Sequence, residues 1–322
     1  MLVSVIIPAH NCEGRIEEAV ESVVHERDAA RLEIVIVEDG STDSTLEVCE
    51  RLQKKHPDLV KVLRHPKGAN KGAGASRNFG IEMSRGELVC FLDADDYWLP
   101  GRLDVAPKIL AEKPEVDGVY EPVEVVFEET ASEADRRATL ELFSVRPGRK
   151  PEEVLEEVLF GKAWHMGGIL LRRRAFDLAG VFPEIRETGE DTHLWIRLAA
   201  VCRLVEGEIG KPVAAYRRHG SNTWVPETHP DQFHIYWDLC RWAEENLEDR
   251  AKRRAVRERL ICSVSGFPVH GVARETARRV RRAAGIARAF PRVLGHWSFY
   301  KCLRRILCLH PLWQKLKHRR HR

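Results

Sequence analysis

The sequence predicts an α/β protein, a mostly parallel, doubly wound sheet followed by a basic helical appendage. Three observations carry that prediction. Short β-branched apolar runs alternate with segments of helical periodicity along the first part of the chain, as in a sheet covered on both faces. Charge divides along the chain: residues 251–322 hold 20 Lys and Arg against Glu258 and Glu275, whereas residues 1–250 hold 32 basic and 47 acidic residues. A length of 322 residues, with 43% hydrophobic and 31% charged, suits one large domain plus a smaller unit and excludes disordered and fibrous classes. The expected organisation is a ligand-binding domain over residues 1–222 and a helical basic region over residues 223–322.

Val3–Pro8 is nearly all apolar, as a buried strand requires. Asn11 stands ready to cap the next helix, in which Ile16, Ala19, Val20, Val23 and Val24 recur at helical spacing. Glu33–Val37 reads as a second strand, and Ser41 or Asp43 can cap the helix carrying Leu46, Val48 and Leu52. Val60–Leu63 is a third strand, Ala75–Met83 a helix and Leu88–Leu92 a fourth strand. This alternation implies parallel pairing with right-handed crossovers. Val119–Phe127 reads as one further strand, and Ile169–Leu171 as a strand leading into a helix around Phe176. Residues 128–137 are charged and read as exposed, and a later helix carries Leu194, Trp195 and Leu198. Beyond Trp224-Val225-Pro226 the pattern turns helical over Phe233–Leu247, Arg250–Val264 and Arg274–Arg288.

Ligands of such sheets bind beyond the carboxyl ends of the strands, where His10, Asp39 and Asp93 fall. Phe91-Leu92-Asp93-Ala94-Asp95-Asp96 sets three carboxylates directly behind a buried strand. Were that strand to continue, Asp93 and Asp95 would leave the same face and offer oxygens to one hard cation, which in turn neutralises a diphosphate. Other nucleotide and cation signatures fail. Gly72-Ala73-Gly74-Ala75-Ser76-Arg77 has Arg77 at the third glycine position of a dinucleotide fingerprint, and no phosphate-loop motif occurs. A calcium loop starting at Asp93 would need glycine where Trp98 stands. The eight cysteines form no C-x-x-C pair and read as reduced core thiols. The chain opens directly into Val3-Ser4-Val5 with no basic leader, and no apolar run reaches the length of a bilayer span, so a cytoplasmic location is expected.

Five motifs in register resemble those of family 2 glycosyltransferases of the GT-A fold. They are Pro8-Ala9-His10-Asn11, Glu38-Asp39-Gly40-Ser41-Thr42-Asp43, Asn70-Lys71-Gly72 with Ser76-Arg77-Asn78, Asp93-Ala94-Asp95-Asp96, and Glu190-Asp191 before Leu194-Trp195. The resemblance covers roughly residues 1–222. It implies a metal-assisted, inverting transfer of a sugar from a nucleotide-sugar donor, UDP-linked, to an acceptor hydroxyl. Pro8, Ala9, His10 and Asn11 would line the donor site, with His10 where the family often has Tyr. The resemblance also implies that Asp39 accepts the uracil imide N–H, that Arg77 lies near the nucleotide and that Asp93 meets the ribose or the metal. Asp95, with Asp93 and the late His219, would hold Mn²⁺ or Mg²⁺, and Asp191 would be the general base. Asn78 reads equally as a bare helix-surface residue; His165 lies in a segment that could border the acceptor but reads first as a packing residue.

The last 26 residues, 297–322, carry eight Lys or Arg and no acid, with Trp297, Tyr300 and Trp313 as amphipathic rings. That composition fits a helix lying on anionic lipid, which would attach the enzyme to the inner face of a membrane near a glycan or lipid-linked acceptor of envelope polysaccharide synthesis. A solvated helical appendage has the same composition. Two other classes are weighed beside the transferase. A nucleotidyltransferase-like enzyme should carry a glycine-rich basic loop after the first strand, which His10-Asn11-Cys12-Glu13-Gly14 does not resemble. A non-catalytic binder could grip membrane or RNA through the tail, yet no recognisable RNA module is present, which argues against nucleic acid.

Overall fold

The computed structural model describes residues 1–128, 147–159, 164–183, 189–220, 222, 233–265 and 288. It divides into two compact units, Met1–Pro230 and Asp231–Arg322. Most of the charged 128–137 stretch, the Trp224–Pro226 transition, the helix read over 274–287 and the 297–322 tail lie outside the described residues.

The first unit is the expected α/β sheet. Its strands are β1 (Leu2–Ala9), β2 (Arg31–Glu38), β3 (Val60–Arg64), β4 (Leu88–Phe91), β5 (Tyr97–Trp98), β6 (Gly118–Tyr120), β7 (Val123–Phe127), β8 (Ile169–Arg172), β9 (Leu204–Glu206) and β10 (Ala214–Arg218). The helices are α1 (Ile16–Val24), α2 (Thr45–Lys55), α3 (Ala73–Met83), α4 (Ala106–Glu112), α5 (Val154–Leu159), α6 (Arg174–Ala179) and α7 (Glu190–Val201). Seven strands form one sheet in the order β3-β2-β1-β4-β8-β6-β9, and β5-β10-β7 form a second. β1 lies inside the large sheet, parallel to β2 on one side and to β4 on the other. Val5, Ile6 and Ile7 are fully buried there, as are Ile16, Ala19, Val20 and Val23 on α1, so the spacing read from the sequence is the packed face.

The sheet is mostly parallel, as expected, with β8 antiparallel to both β4 and β6. Several local expectations are corrected. Val119–Phe127 is not one strand: it breaks at Glu121-Pro122 into β6 of the large sheet and β7 of the small one. Pro122 has no N–H to continue a ladder, and its carbonyl instead accepts Val213 N at 2.9 Å. Asn11 does not cap α1, which begins behind Arg15 without a side-chain cap. It sits at φ 48° and accepts Thr42 N at 2.8 Å through Oδ1, tying the loop after β1 to the loop after β2. Asp43 does satisfy the start of α2, accepting Thr45 N at 3.0 Å. The cysteines among the described residues are free thiols, as expected.

The second unit contains α8 (Phe233–Asn246) and α9 (Arg250–Ser265). Ile235, Leu239, Cys240, Ala243 and Val256 are buried, and Arg257 donates to Glu244 at 2.6 Å. Arg250, Lys252, Arg253, Arg254, Arg257 and Arg259 make α9 strongly basic. Among the described residues no helix is long and apolar enough to cross a membrane.

One contact ties the sheet closely to α3. A Cβ on Gly80, in α3, would stand 2.4 Å from Ile6 Cγ2 of β1, a buried branched side chain with no room to retreat. Gly80→Ala gains about 0.5–1 kcal/mol of helix propensity but forces α3 off the sheet, and overpacking costs about 1–3 kcal/mol. The net expectation is a loss of roughly 1 kcal/mol, read as a lower urea midpoint at unchanged slope; an unchanged or raised midpoint would mean the helix–strand contact is not tight.

Candidate active site

The loops after β1, β2 and α3's approach converge at the carboxyl edge of the sheet. Asp39, only 3% exposed, accepts Lys71 N at 2.7 Å and Gly72 N at 2.9 Å, one through each carboxylate oxygen. Each oxygen keeps a lone pair for a further donor. Gly40 follows at φ 69°, and a Cβ there would meet Gly68 O at 2.7 Å and Asn70 N at 2.8 Å, so only glycine lets the two loops close. His10 is exposed and in contact with Asn70 Nδ2 at 3.3 Å, above buried Ala9 and half-buried Pro8. Glu38 is buried beneath, where burial pushes its carboxyl up but Ser41 N and Arg64 Nε hold it below its ordinary range.

The acidic turn departs from the expectation of a continuing strand. β4 ends at Phe91, and Asp96 N donates to Asp93 O at 3.0 Å, closing a turn that sends Asp93 and Asp95 to different partners. Asp95 Oδ2 lies 3.0 Å from His219 Nε2 and accepts Asn222 Nδ2 at 3.3 Å. The small sheet makes this meeting: β5 pairs antiparallel with β10, so the turn that leads into β5 comes against the end of β10. A carboxylate and an imidazole in contact form a donor set that Mn²⁺ accepts.

Asp93 turns the other way. Its Oδ1 accepts Arg77 Nη2 at 2.6 Å, while Arg77 Nη1 donates to Glu190 Oε1 at 3.0 Å. Arg77 is buried and lies over the Phe182 ring, 5.4 Å from its centroid. Burial works against its charge, but Asp93 and Glu190 more than offset that and raise its pKa; Asp93 in turn is held low by Arg77 against its own burial. Asn78 is not a bare surface residue. It exchanges two 2.9 Å hydrogen bonds with the backbone of Phe182, fixing α3 to the segment that precedes α7.

Asp191 occupies the first turn of α7, next to Glu190. Burial, then the Glu190 charge, raise its carboxyl to about 6, with Arg77 and Thr192 N pulling the other way. The charges of Arg77 and Asp93 both reach Asp191, so the base candidate and the acidic turn share one neighbourhood.

His165 is buried against the same turn, not merely packed. Asp93, Asp96 and His165 each offer an atom within 4.8 Å of the others, yet Gly167 N donates to His165 Nδ1 at 3.3 Å. A neutral ring accepting there carries its hydrogen on Nε2, which makes that nitrogen a donor and not a metal ligand. Glu190, Asp96 and Asn222 received no role from the sequence. The i, i+3 spacing of His219 and Asn222, and the acid preceding Asp191, were the available signals.

The residues 4–176 match the family model described as glycosyl transferase family 2. An uncharacterised glycosyltransferase of Nostoc sp. is 32% identical over 69% of this chain and 66% of its own length; the chain spans about a third of the next curated relatives it matches. Staphylococcus aureus TarS 1–349 in complex with UDP-GlcNAc superposes at TM-score 0.68, with 18% identity over 98% of this chain and 92% of TarS. The mannosyltransferase PcManGT of Pyrobaculum calidifontis, in complex with GDP-Man and Mn²⁺, gives 0.52, with 20% identity over 97% and 87%. These likenesses match the observed sheet to the GT-A fold.

The Arg77 bridge yields a prediction. Arg77→Met leaves Asp93 and Glu190 half-buried and unpaired, a change that costs about 3 kcal/mol or more. The loss shrinks as pH falls, because Asp93, no longer held low by Arg77, can then take up a proton. Chemical denaturation at pH 5 and pH 8 measures it; equal losses at the two pH values would mean the carboxylates do not depend on Arg77.

Proposed function

Since the chain belongs to glycosyl transferase family 2, we propose that it transfers a sugar from a UDP-linked donor to an acceptor hydroxyl with inversion, Asp191 acting as general base. The observation that carries this reading is the Arg77 bridge, which joins the acidic turn after β4 to the helix bearing Asp191. That link supports a donor held at the acidic turn and an acceptor activated beside it.

Asp39 is read as the acceptor of the base N–H, its lone pairs aimed by Lys71 N and Gly72 N, with Pro8, Ala9, His10 and Asn11 as the surrounding wall. The UDP-GlcNAc held by TarS, a protein of like fold, supports the choice of donor class. Asp93, fixed by Arg77, is read as the ribose contact. Asp95 and His219 are the residues that would hold Mn²⁺ or Mg²⁺, and the Mn²⁺ in PcManGT supports that reading. When bound, such a cation supplies Lewis-acid neutralisation of the leaving diphosphate. Asp191 takes the acceptor proton as the hydroxyl attacks, and a single base opposite the leaving group gives direct displacement. Its raised pKa suits the task, since a carboxyl at about 6 is a stronger base than an ordinary one and is still ionised at neutral pH.

The test is a panel of UDP-sugars with Mn²⁺ and purified full chain, followed by donor turnover. Asp191→Asn should lose about 10²- to 10⁴-fold in kcat while UDP still protects against heating. The base works only when deprotonated, so kcat/KM should fall below a pH of about 6. Glu190→Gln removes a charge that raises the Asp191 pKa, and should move that acid limb downward. A profile flat between pH 5 and 8, or full turnover by Asp191→Asn, would remove Asp191 from the role.

The acceptor is read as a glycan or lipid-linked hydroxyl at an anionic membrane surface. The six basic residues of α9 and the composition of residues 297–322 support attachment there. Flotation with phosphatidylglycerol vesicles should recover the full chain and recover less of a form lacking residues 297–322; equal recovery would discard the tail as an anchor.

A further inference from the structure

We propose that His165 is a positioning residue that, through Asp96, sets the spacing of the Asp95 and His219 side chains. The inference rests on the reading of Asp95 and His219 as the cation pair and adds a residue to which no role has been given.

Asp96 is the shared anchor of the two. It directly follows Asp95, and its Oδ1 accepts Arg217 N at 2.8 Å, two residues before His219. One carboxylate therefore fixes both chain segments that carry the pair. Its other oxygen, Oδ2, is buried and has no hydrogen-bond partner among the described residues. His165 Nε2 stands 3.7 Å from that oxygen. Because Gly167 N donates to Nδ1, the Nε2 position carries the hydrogen and faces the orphan acceptor. The ring is held in that orientation from its other side, 4.4 Å between centroids from Tyr216, whose hydroxyl accepts Arg218 Nη1 at 3.0 Å.

A distance of 3.7 Å exceeds an ordinary N–H···O bond by somewhat under 1 Å. A buried carboxyl oxygen without a hydrogen-bond partner is costly, so movement of the turn toward His165 is favoured. Such a movement carries Asp95 with it, and the Arg217 tie makes the end of β10 follow. His165 thus acts on the cation pair from behind, as the hydrogen-bond partners of metal ligands do.

Two substitutions separate this role from packing. His165→Asn keeps an acceptor near Gly167 N but cannot reach Asp96; His165→Gln has an amide nitrogen as far along the side chain as Nε2. In the full chain with UDP, titration of Mn²⁺ should show His165→Asn weakened about 10- to 100-fold and His165→Gln close to wild type. Wild-type affinity in His165→Asn, or equal weakening in both variants, overturns the proposal. Should the wild-type chain bind no Mn²⁺, the cation reading itself fails, and the contact is judged by urea unfolding of His165→Asn, Asp96→Asn and the double variant. Additive effects then overturn the His165–Asp96 link, and non-additive effects uphold it.

Discussion

A single buried guanidinium governs this catalytic unit. Arg77 spans from the turn after β4 to the first residue of α7, two elements separated by about a third of the chain, and it holds Asp93 low against a burial that pushes that carboxyl up. Without it, Asp93 would lose the charge that opposes its burial and shift toward its protonated form. With it, Asp93 stays ionised while Asp191, one residue beyond Glu190, is left with a raised pKa. Similar carboxyls a short distance apart are thus driven to opposite behaviour by which of them faces the arginine.

Much of this was legible in the sequence, and for physical reasons. Buried parallel strands advertise themselves as short β-branched runs, and their ligand-binding ends follow from the direction of the chain. The motifs at those ends therefore read correctly as one edge of one sheet. What failed was geometry over one or two residues. Nothing in Leu92-Asp93-Ala94-Asp95 announces that the strand stops at Phe91, so the alternation that would set Asp93 beside Asp95 was extended too far. Asn11 looked like a helix cap because it has the right side chain in nearly the right place; its partner, Thr42 N, is a long-range contact no local rule supplies. Arg77 and Asn78 were identified by motif, but their partners come from the segment before α7, and pairing across such distances is invisible to spacing.

The small sheet has a different lesson. β5 is only two residues long and would hardly be recognised as a strand by composition. Its pairing with β10 nevertheless brings Asp95 to His219 across more than a hundred residues of chain. Asp96 reinforces the join by accepting the Arg217 N–H through its carboxylate, so the acidic turn is held by the small sheet on one side and by α3 through Arg77 on the other. Rigidity of the site comes from these two independent attachments, since the turn itself has only one internal hydrogen bond.

The reversed course of β8 bears on how such an enzyme can diversify. In a sheet of uniformly parallel strands, only the segments that leave the strands can touch what is bound at the edge. Because β8 enters where β1, β2 and β4 exit, Trp164–Gly168 reaches the same rim by arriving instead of departing. Insertions ahead of β8 would therefore remodel one side of that rim while the side built from the loops after β1 and β2 keeps its shape. A lineage could swap what it glycosylates by editing that inbound stretch alone.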